Sequence, residues 1–272
     1  MTDEVKLDNV KHVLLVASGK GGVGKSTVAA NLAISLAREG YATGLLDADL
    51  YGPSVPILFD IEDKKPMVTH RDGQSIIEPI EKYGIRIMSI GLMTKKEDAM
   101  IWRGPMASKT LTQIITSTNW GKLDYLVIDM PPGTGDICIT LSQKLKQAFA
   151  LVVITPQKLA TADGLKAANM FRHPSVNIPM LGIVENMSYF VPEKHPDEQY
   201  FIFGKDGGEQ LAQQVNSNLL AQIPLVMDVC ELTDHGHNVF QSGNKILIDA
   251  FQELALQVAE KSNTFMYVKP TI

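Results

Sequence analysis

The chain has 272 residues, 45% of them hydrophobic and 20% charged, with a formal net charge of −5. That length admits one large α/β domain or two small ones, no apolar run approaches a membrane span, and no positive excess favours nucleic acid. Cys138 and Cys230 are the only cysteines, so no disulfide framework is implied, and with the polar, acidic start Met1-Thr2-Asp3-Glu4-Val5-Lys6 they predict a cytoplasmic protein.

His12-Val13-Leu14-Leu15-Val16-Ala17-Ser18 reads as a buried parallel strand. It runs into Gly19, Lys20, Gly21, Gly22, Val23, Gly24, Lys25, Ser26 and Thr27, which fits G-x-x-x-x-G-K-[ST], the loop that cradles nucleotide phosphates. Glycines let successive N–H groups turn inward toward an anion. Lys25 reaches the β- and γ-phosphates, and the Ser26 hydroxyl is placed to ligate Mg²⁺. Residues 27–39 then predict a helix with Ala29, Leu32, Ala33, Leu36 and Ala37 on one face, its N-terminus aimed at the phosphates.

A strand over 42–46 ends in Asp47-Ala48-Asp49, carboxylates at the strand edge where ligands bind in parallel sheets. The other reading open to them is capping of the short helix that follows. Arg71-Asp72-Gly73-Gln74 between two short extended runs signals a hairpin, and 83–90 returns to the sheet. Residues 93–100 read as a charged loop and 106–118 as a helix. The strand over 123–130 carries Asp129 and leads into Met130-Pro131-Pro132-Gly133-Thr134-Gly135-Asp136. Asp129 is placed to hold Mg²⁺ through water, and this segment predicts a switch ordered by the γ-phosphate. Further strands are predicted over 149–155, 180–184 and 219–223, with helices over 161–171, 207–215 and 244–261. Asn186, just past the strand over 180–184, can hydrogen-bond a base edge. Residues 188–204 form an irregular insertion. Cys230, His235 and His237 could ligate a metal, but read better as a polar loop. The alternation of strand and helix predicts an α/β fold, a mostly parallel sheet with helices on both faces, and one P-loop ATPase domain over 1–272.

Two levels of resemblance follow. The second lysine, Lys20, makes the loop K-G-G-x-G-K-[ST], which resembles the deviant phosphate loop of the MinD/ParA/nitrogenase-iron-protein class. There the extra lysine reaches the partner's nucleotide, which implies a nucleotide-sandwich homodimer. Beyond the loop, DADLYGPSVP (47–56), WRGPM (102–106), LDYLVIDMPPGTGD (123–136), TPQ (155–157) and GIVENMS (182–188) resemble the Mrp/ApbC family of iron–sulfur cluster carrier ATPases. The resemblance covers about residues 10–260. It implies ATP as nucleotide, Lys20 acting in trans, Lys25 and Ser26 on phosphate and Mg²⁺, and Asp49 orienting the attacking water. It also implies Asp47 supporting Mg²⁺, Asp129 as the second-switch carboxylate, Asn186 facing adenine, and iron–sulfur donor and acceptor proteins as partners.

The chain departs from that family at one place. Members carry a C-x-x-C pair shortly after the GIVENMS stretch, and residues 189–203 here contain no cysteine. Cys138 and Cys230 need not converge, and carboxylates are hard ligands poorly matched to iron–sulfide cores. The expectation is therefore a carrier ATPase whose own cluster binding is weak. The competing reading is a MinD/ParA-like regulatory or positioning ATPase with no cluster. Its membrane version wants a basic amphipathic tail, which 262–272 do not provide.

Overall fold

The computed structural model describes residues 4–71, 73–93, 104–192, 194–195 and 197–267. Asp72 of the hairpin turn, the charged loop from 94 onward, and Trp102-Arg103 of the WRGPM stretch lie outside these residues.

Ten strands occur. In chain order the large sheet takes β1 (Val10–Ala17), β2 (Thr43–Asp47), β5 (Ile80–Lys82), β6 (Ile85–Ser89), β7 (Leu123–Asp129), β8 (Ala148–Ile154), β9 (Met180–Glu185) and β10 (Leu219–Gln222). Its spatial order is β10-β9-β8-β1-β7-β2-β6-β5, parallel throughout except for the edge pair β5–β6. The hairpin β3 (Val68–Arg71) and β4 (Gln74–Ile77) forms a separate two-stranded ribbon, as its Asp-Gly turn predicts.

Alternation along the strands splits the core into two layers. Val13, Leu15 and Ala17 of β1 face one way, with Ile128 and Val152 beside them. That face is covered by α4 (Gly104–Ser117), α5 (Asp136–Lys144), α6 (Lys158–Arg172) and α7 (Gly207–Gln214), through residues such as Leu111, Leu141, Phe171 and Leu211. Leu14 and Val16 face the other way, against α1 (Lys25–Arg38) and the terminal helix α9 (Lys245–Tyr267), where Leu32, Leu36, Phe251 and Leu254 are fully buried. Burying each such side chain contributes roughly 1.5–3 kcal/mol, and both layers require a strand that is apolar on both faces. The short helices α2 (Val55–Leu58), α3 (Ile90–Met93) and α8 (Asp228–Asp234) connect these elements.

Several boundaries differ from expectation. Residues 83–90 return to the sheet as expected, but the strand β6 starts only at Ile85: Tyr83 (φ 54°) and Gly84 (φ 77°) both take positive φ between β5 and β6, the conformation a two-residue hairpin turn needs. Tyr83 is held there because its hydroxyl donates to the Gly236 carbonyl at 2.7 Å. Helix α6 begins three residues before the predicted 161, because Thr161 donates both its N–H (3.0 Å) and its hydroxyl (3.1 Å) to the Gln157 carbonyl and closes a turn there. The polar loop expected around 230 is the helix α8, its Val229 packed against the core. The terminal helix continues to Tyr267, past the predicted 261.

What the topology places is decisive. Strand β1 lies between β7 and β8, and the strand order runs outward from it in both directions. The crevice beyond its carboxyl end is a topological switch point, the position where such sheets bind ligands.

Candidate functional site

The loop joining β1 to α1 fills that crevice. Gly22 (φ 81°) and Gly24 (φ 78°) are left-handed, which turns the backbone inward at two places where a side chain would be strained. The Ser18 hydroxyl donates to the Lys20 carbonyl at 2.8 Å and fixes the loop's first turn. Gly24 is the N-cap of α1 and supplies no side chain to the first N–H groups of the helix, so they remain available to an anion. Lys20, Gly21, Gly22, Gly24, Lys25, Ser26, Thr27 and Asp49 all line one cavity of about 250 Å³, together with Ser18, Ser54, Leu58 and Pro132.

Gly19 and Val23 serve the loop in other ways. A Cβ on Gly19 would meet the Asp163 carbonyl oxygen of α6 at 1.9 Å, so the loop backbone rests directly on helix backbone. Val23 is buried, and its carbonyl accepts the Asn186 amide N–H at 2.9 Å. Asn186 is 7% exposed and lies beneath Gly24, whose Cβ would stand 2.2 Å from its Nδ2. In this structure Asn186 therefore braces the phosphate loop with its amide. Its neighbour Glu185 is a buried carboxylate that accepts from the Ser188 hydroxyl, the Gln222 amide at 2.9 Å and the Gly208 N–H of α7.

Three aspartates converge behind and beside the cavity. Asp47 and Asp129 are paired residues on the adjacent strands β2 and β7, and both are fully buried. Lys25 makes a short ion pair with Asp129 Oδ1 and also approaches Ser26 Oγ at 3.3 Å. The second carboxylate oxygen of Asp129, Oδ2, is buried with no hydrogen-bond partner. A buried, half-satisfied carboxylate beside a P-loop lysine is a group set up to take a further partner. Burial raises its pKa, and Lys25 opposes that rise. Asp47 is satisfied on all sides. Its Oδ1 accepts the Asp49 N–H at 3.1 Å, and its Oδ2 accepts the Val55 N–H at 3.1 Å and the Ser89 hydroxyl at 3.0 Å. Burial, reinforced by the charge of Asp129, pushes the Asp47 carboxyl up to about 7. Asp47 thus caps α2, the alternative reading of the sequence, while it stands next to the phosphate site. Asp49 is 8% exposed at the cavity edge, and its Oδ1 accepts the Gly52 N–H at 3.2 Å.

Cys138 lies in α5, 1% exposed, with its thiol donating to the Pro131 carbonyl at 3.3 Å. Burial pushes this thiol up to about 11, so the thiolate that ligates metal is strongly disfavoured. Cys230 falls within α8. Among the described residues no three His, Cys, Asp or Glu side chains are grouped to hold a metal ion. Mg²⁺ bound with nucleotide does not need such a cage, since phosphates and water supply most of its ligands. No helix among the described residues is long and apolar enough to cross a membrane.

Sequence reasoning missed Ser89 and the backbone of Val55, which orient Asp47. It also missed Glu185, which a strand-end carboxylate one residue before Asn186 could have suggested.

A parallel sheet with a glycine-rich loop at its switch point, a loop lysine on a buried strand-end aspartate and an uncapped helix N-terminus defines a P-loop nucleotide-binding protein. The model of the ParA-type family described as the NUBPL iron-transfer P-loop NTPase matches residues 9–259. An iron–sulfur cluster carrier protein from Pseudomonas fragi is 49% identical over 252 residues, 92% of this chain and 86% of its own length. One from Aquifex aeolicus is 52% identical over 235 residues, 86% of this chain, and the match spans 63% of that relative's length. An Arabidopsis thaliana iron–sulfur protein required for mitochondrial NADH dehydrogenase is 46% identical over 261 residues, covering 95% of this chain and 81% of its own. Among solved structures, a nucleotide-binding protein from Archaeoglobus fulgidus in complex with ADP superposes with a TM-score of 0.72 at 38% identity, covering 85% of this chain and 88% of that one. The cell-division ATPase MinD of Pyrococcus furiosus shares the fold at a TM-score of 0.65 and 19% identity, over 92% of this chain and 99% of its own. The chain belongs to the iron–sulfur cluster carrier family of P-loop NTPases.

Proposed function

We propose that this protein is an Mg²⁺-dependent ATPase, one P-loop domain that works as a nucleotide-sandwich homodimer in iron–sulfur cluster assembly and transfer. The observation that carries the reading is the buried Lys25–Asp129 pair with Asp129 Oδ2 left unpartnered. Without nucleotide, Lys25 offsets the charge of Asp129. When phosphates enter the loop, Lys25 turns to them and Asp129 is released to accept from water. Asp49, at the cavity edge, orients the attacking water. The Gly133 N–H donates to the Ser18 carbonyl at 2.8 Å, so the segment after Asp129 is tied to the base of the phosphate loop and answers to what the loop holds. Ser26 and, through water, Asp47 and Asp129 are the residues that would hold Mg²⁺, which would offset phosphate charge in the transition state. Lys20, on the cavity wall, supplies the charge that acts across the two-fold axis.

Cluster handling in this chain depends on ligands from a partner. Residues 189–203 offer no thiol, and the Cys138 thiol is buried with its pKa raised. The test is anaerobic reconstitution with iron and sulfide, followed by visible spectroscopy and iron analysis. The expected result is no stable cluster on the protein alone, together with slow Mg²⁺-dependent ATP turnover. A stable brown protein holding about four irons per dimer, lost on Cys138→Ser, would show that the cluster site has moved to α5.

A further inference from the structure

A second cavity opens on the same edge of the sheet, between the first turn of α6, helix α7 and the end of the 188–204 insertion. Its volume is about 480 Å³, nearly twice that of the phosphate cavity and within the range of specific ligand pockets. Its lining combines apolar Pro156, Leu165 and Phe203 with two cations, Lys158 and Lys205, and the uncharged polar Gln157, Thr161, Gln210 and Gln214. Among the described residues no carboxylate lies within ion-pair distance of either lysine. Lys166, nearby on α6, is by contrast engaged with Asp163 at 3.0 Å. Asp206 and Glu209 stand on the adjoining turn but do not line the cavity. An unopposed pair of cations is unexpected in a chain of net charge −5.

The cavity is built into the fold. Gly204 takes φ +97° at its edge, and a Cβ on Gly207 would stand 2.5 Å from the Pro156 carbonyl oxygen, so the insertion's end is pressed on the exit of β8. Glu185 accepts the Gly208 N–H and holds the α7 wall against β9. Outside the rim, Leu159 (67% exposed), Phe201 (37%) and Ile202 (57%) present apolar surface to solvent, and the Lys205 ammonium sits 4.9 Å from the centre of the Phe201 ring.

We propose that this cavity docks an acidic peptide segment of a partner protein, a carboxylate held by Lys158 and Lys205 and a neighbouring apolar side chain seated on Phe203 and Leu165. The charge selects the carboxylate. The apolar surface beyond the rim selects a protein over a free organic acid, because a small acid would leave Leu159 and Ile202 in water. None of these residues lines the phosphate loop cavity, and the proposal needs neither ATP turnover nor a bound cluster.

The test is selection of random heptapeptides displayed on phage against the wild-type protein. Binding of the recovered peptides is then measured by fluorescence polarisation on wild type and on Lys158→Glu/Lys205→Glu. Recovered peptides should carry Asp or Glu beside Leu, Phe or Met and bind the double variant at least tenfold more weakly. The variant should hold fluorescent ADP with wild-type affinity, which certifies its fold. Lys158→Ala/Lys205→Ala repeats the measurement if charge reversal disturbs folding. Peptides without acidic enrichment, or binding indifferent to both double variants, overturn the proposal. So does displacement of the peptide by hexanoate at equal concentration, which assigns the cavity to a small acid. A change of oligomeric state in the variant, with peptide binding intact, assigns the face to a second copy and overturns it equally.

Discussion

Lys25→Ala tests the site through stability, before any nucleotide is added. Among the described residues the substitution removes the only cation paired with Asp129, which is fully buried and already has one oxygen unpartnered. Removing one partner of a buried pair costs about 3–5 kcal/mol. Here the cost has a ceiling, because the stranded carboxyl can take a proton. With an unfolded pKa near 3.9, protonation in the folded state at pH 7 costs about 4 kcal/mol, and at pH 5 about 1.5 kcal/mol. The sign follows from proton binding. In the variant the folded state binds a proton that the unfolded state does not, so stability relative to wild type rises as pH falls. Urea denaturation of the nucleotide-free protein should therefore show a deficit of roughly 3–4 kcal/mol at pH 7 that shrinks to below about 2 kcal/mol at pH 5. Adding Asp129→Asn to Lys25→Ala should restore most of the loss, whereas ADP binding should stay abolished in both variants. A deficit under about 0.5 kcal/mol at pH 7, the size expected of an ordinary surface substitution, would refute a buried, uncompensated Asp129.

Lys20→Ala should bind ATP with near-wild-type affinity and lose turnover, and mixing it with Asp49→Ala should restore hydrolysis through one composite site; a mixture as inactive as its parts would remove Lys20 from action in trans. Gly19→Ala places a methyl against the Asp163 carbonyl. It should cost about 1–3 kcal/mol of stability and weaken ADP binding at least tenfold, with wild-type values on both counts dismissing the contact. His12 is buried beside Tyr125, and its pKa is lowered first by burial and then by Lys11, against weaker upward pulls from Asn263 and Asp124. The unfolded chain binds this proton more readily, so His12 stabilises above pH 6.5 and loses that contribution as pH falls through its depressed folded value. His12→Gln should flatten the pH dependence of melting between pH 7 and 5, and an unaltered slope would rule out His12 as its source.

The organisation of the sheet was legible because its signals are local and strong. Apolar strands ending in Asp47 and Asp129, and a glycine loop between strand and helix, specify both the layers and the edge that carries the site. The hairpin at Tyr83 escaped because a tyrosine at positive φ has no sequence signature; a hydrogen bond to Gly236, distant in the chain, holds it. Helix α8 escaped because seven residues are too few for a periodic pattern. The Lys25–Asp129 pair joins residues 104 positions apart, and spacing cannot reveal that one oxygen of the aspartate is left over. For Asn186 the residue type suits a base edge, and packing adds that its amide holds the Val23 carbonyl.

The bare contact between Gly19 and α6 has a mechanical consequence. Side chains that separate two elements absorb small displacements by changing rotamer, but here backbone meets backbone and no such slack exists. On its other flank the helix is equally tight, since a Cβ on Gly164 would stand 2.5 Å from Ile154 Cγ2 on β8. The helix is therefore built as a push-rod with a fixed bearing would be. One point along it touches the lysine-bearing loop, and its first turn walls the lysine-rimmed cavity. A rigid helix would transmit strain arriving at either place to the other, and by linkage the effect would be the same in both directions. Peptide affinity measured with ADP and with a non-hydrolysable ATP analogue should differ by the factor by which added peptide changes the ratio of the two nucleotide affinities. Identical peptide affinities in the two nucleotide states would mean that the rod carries no load.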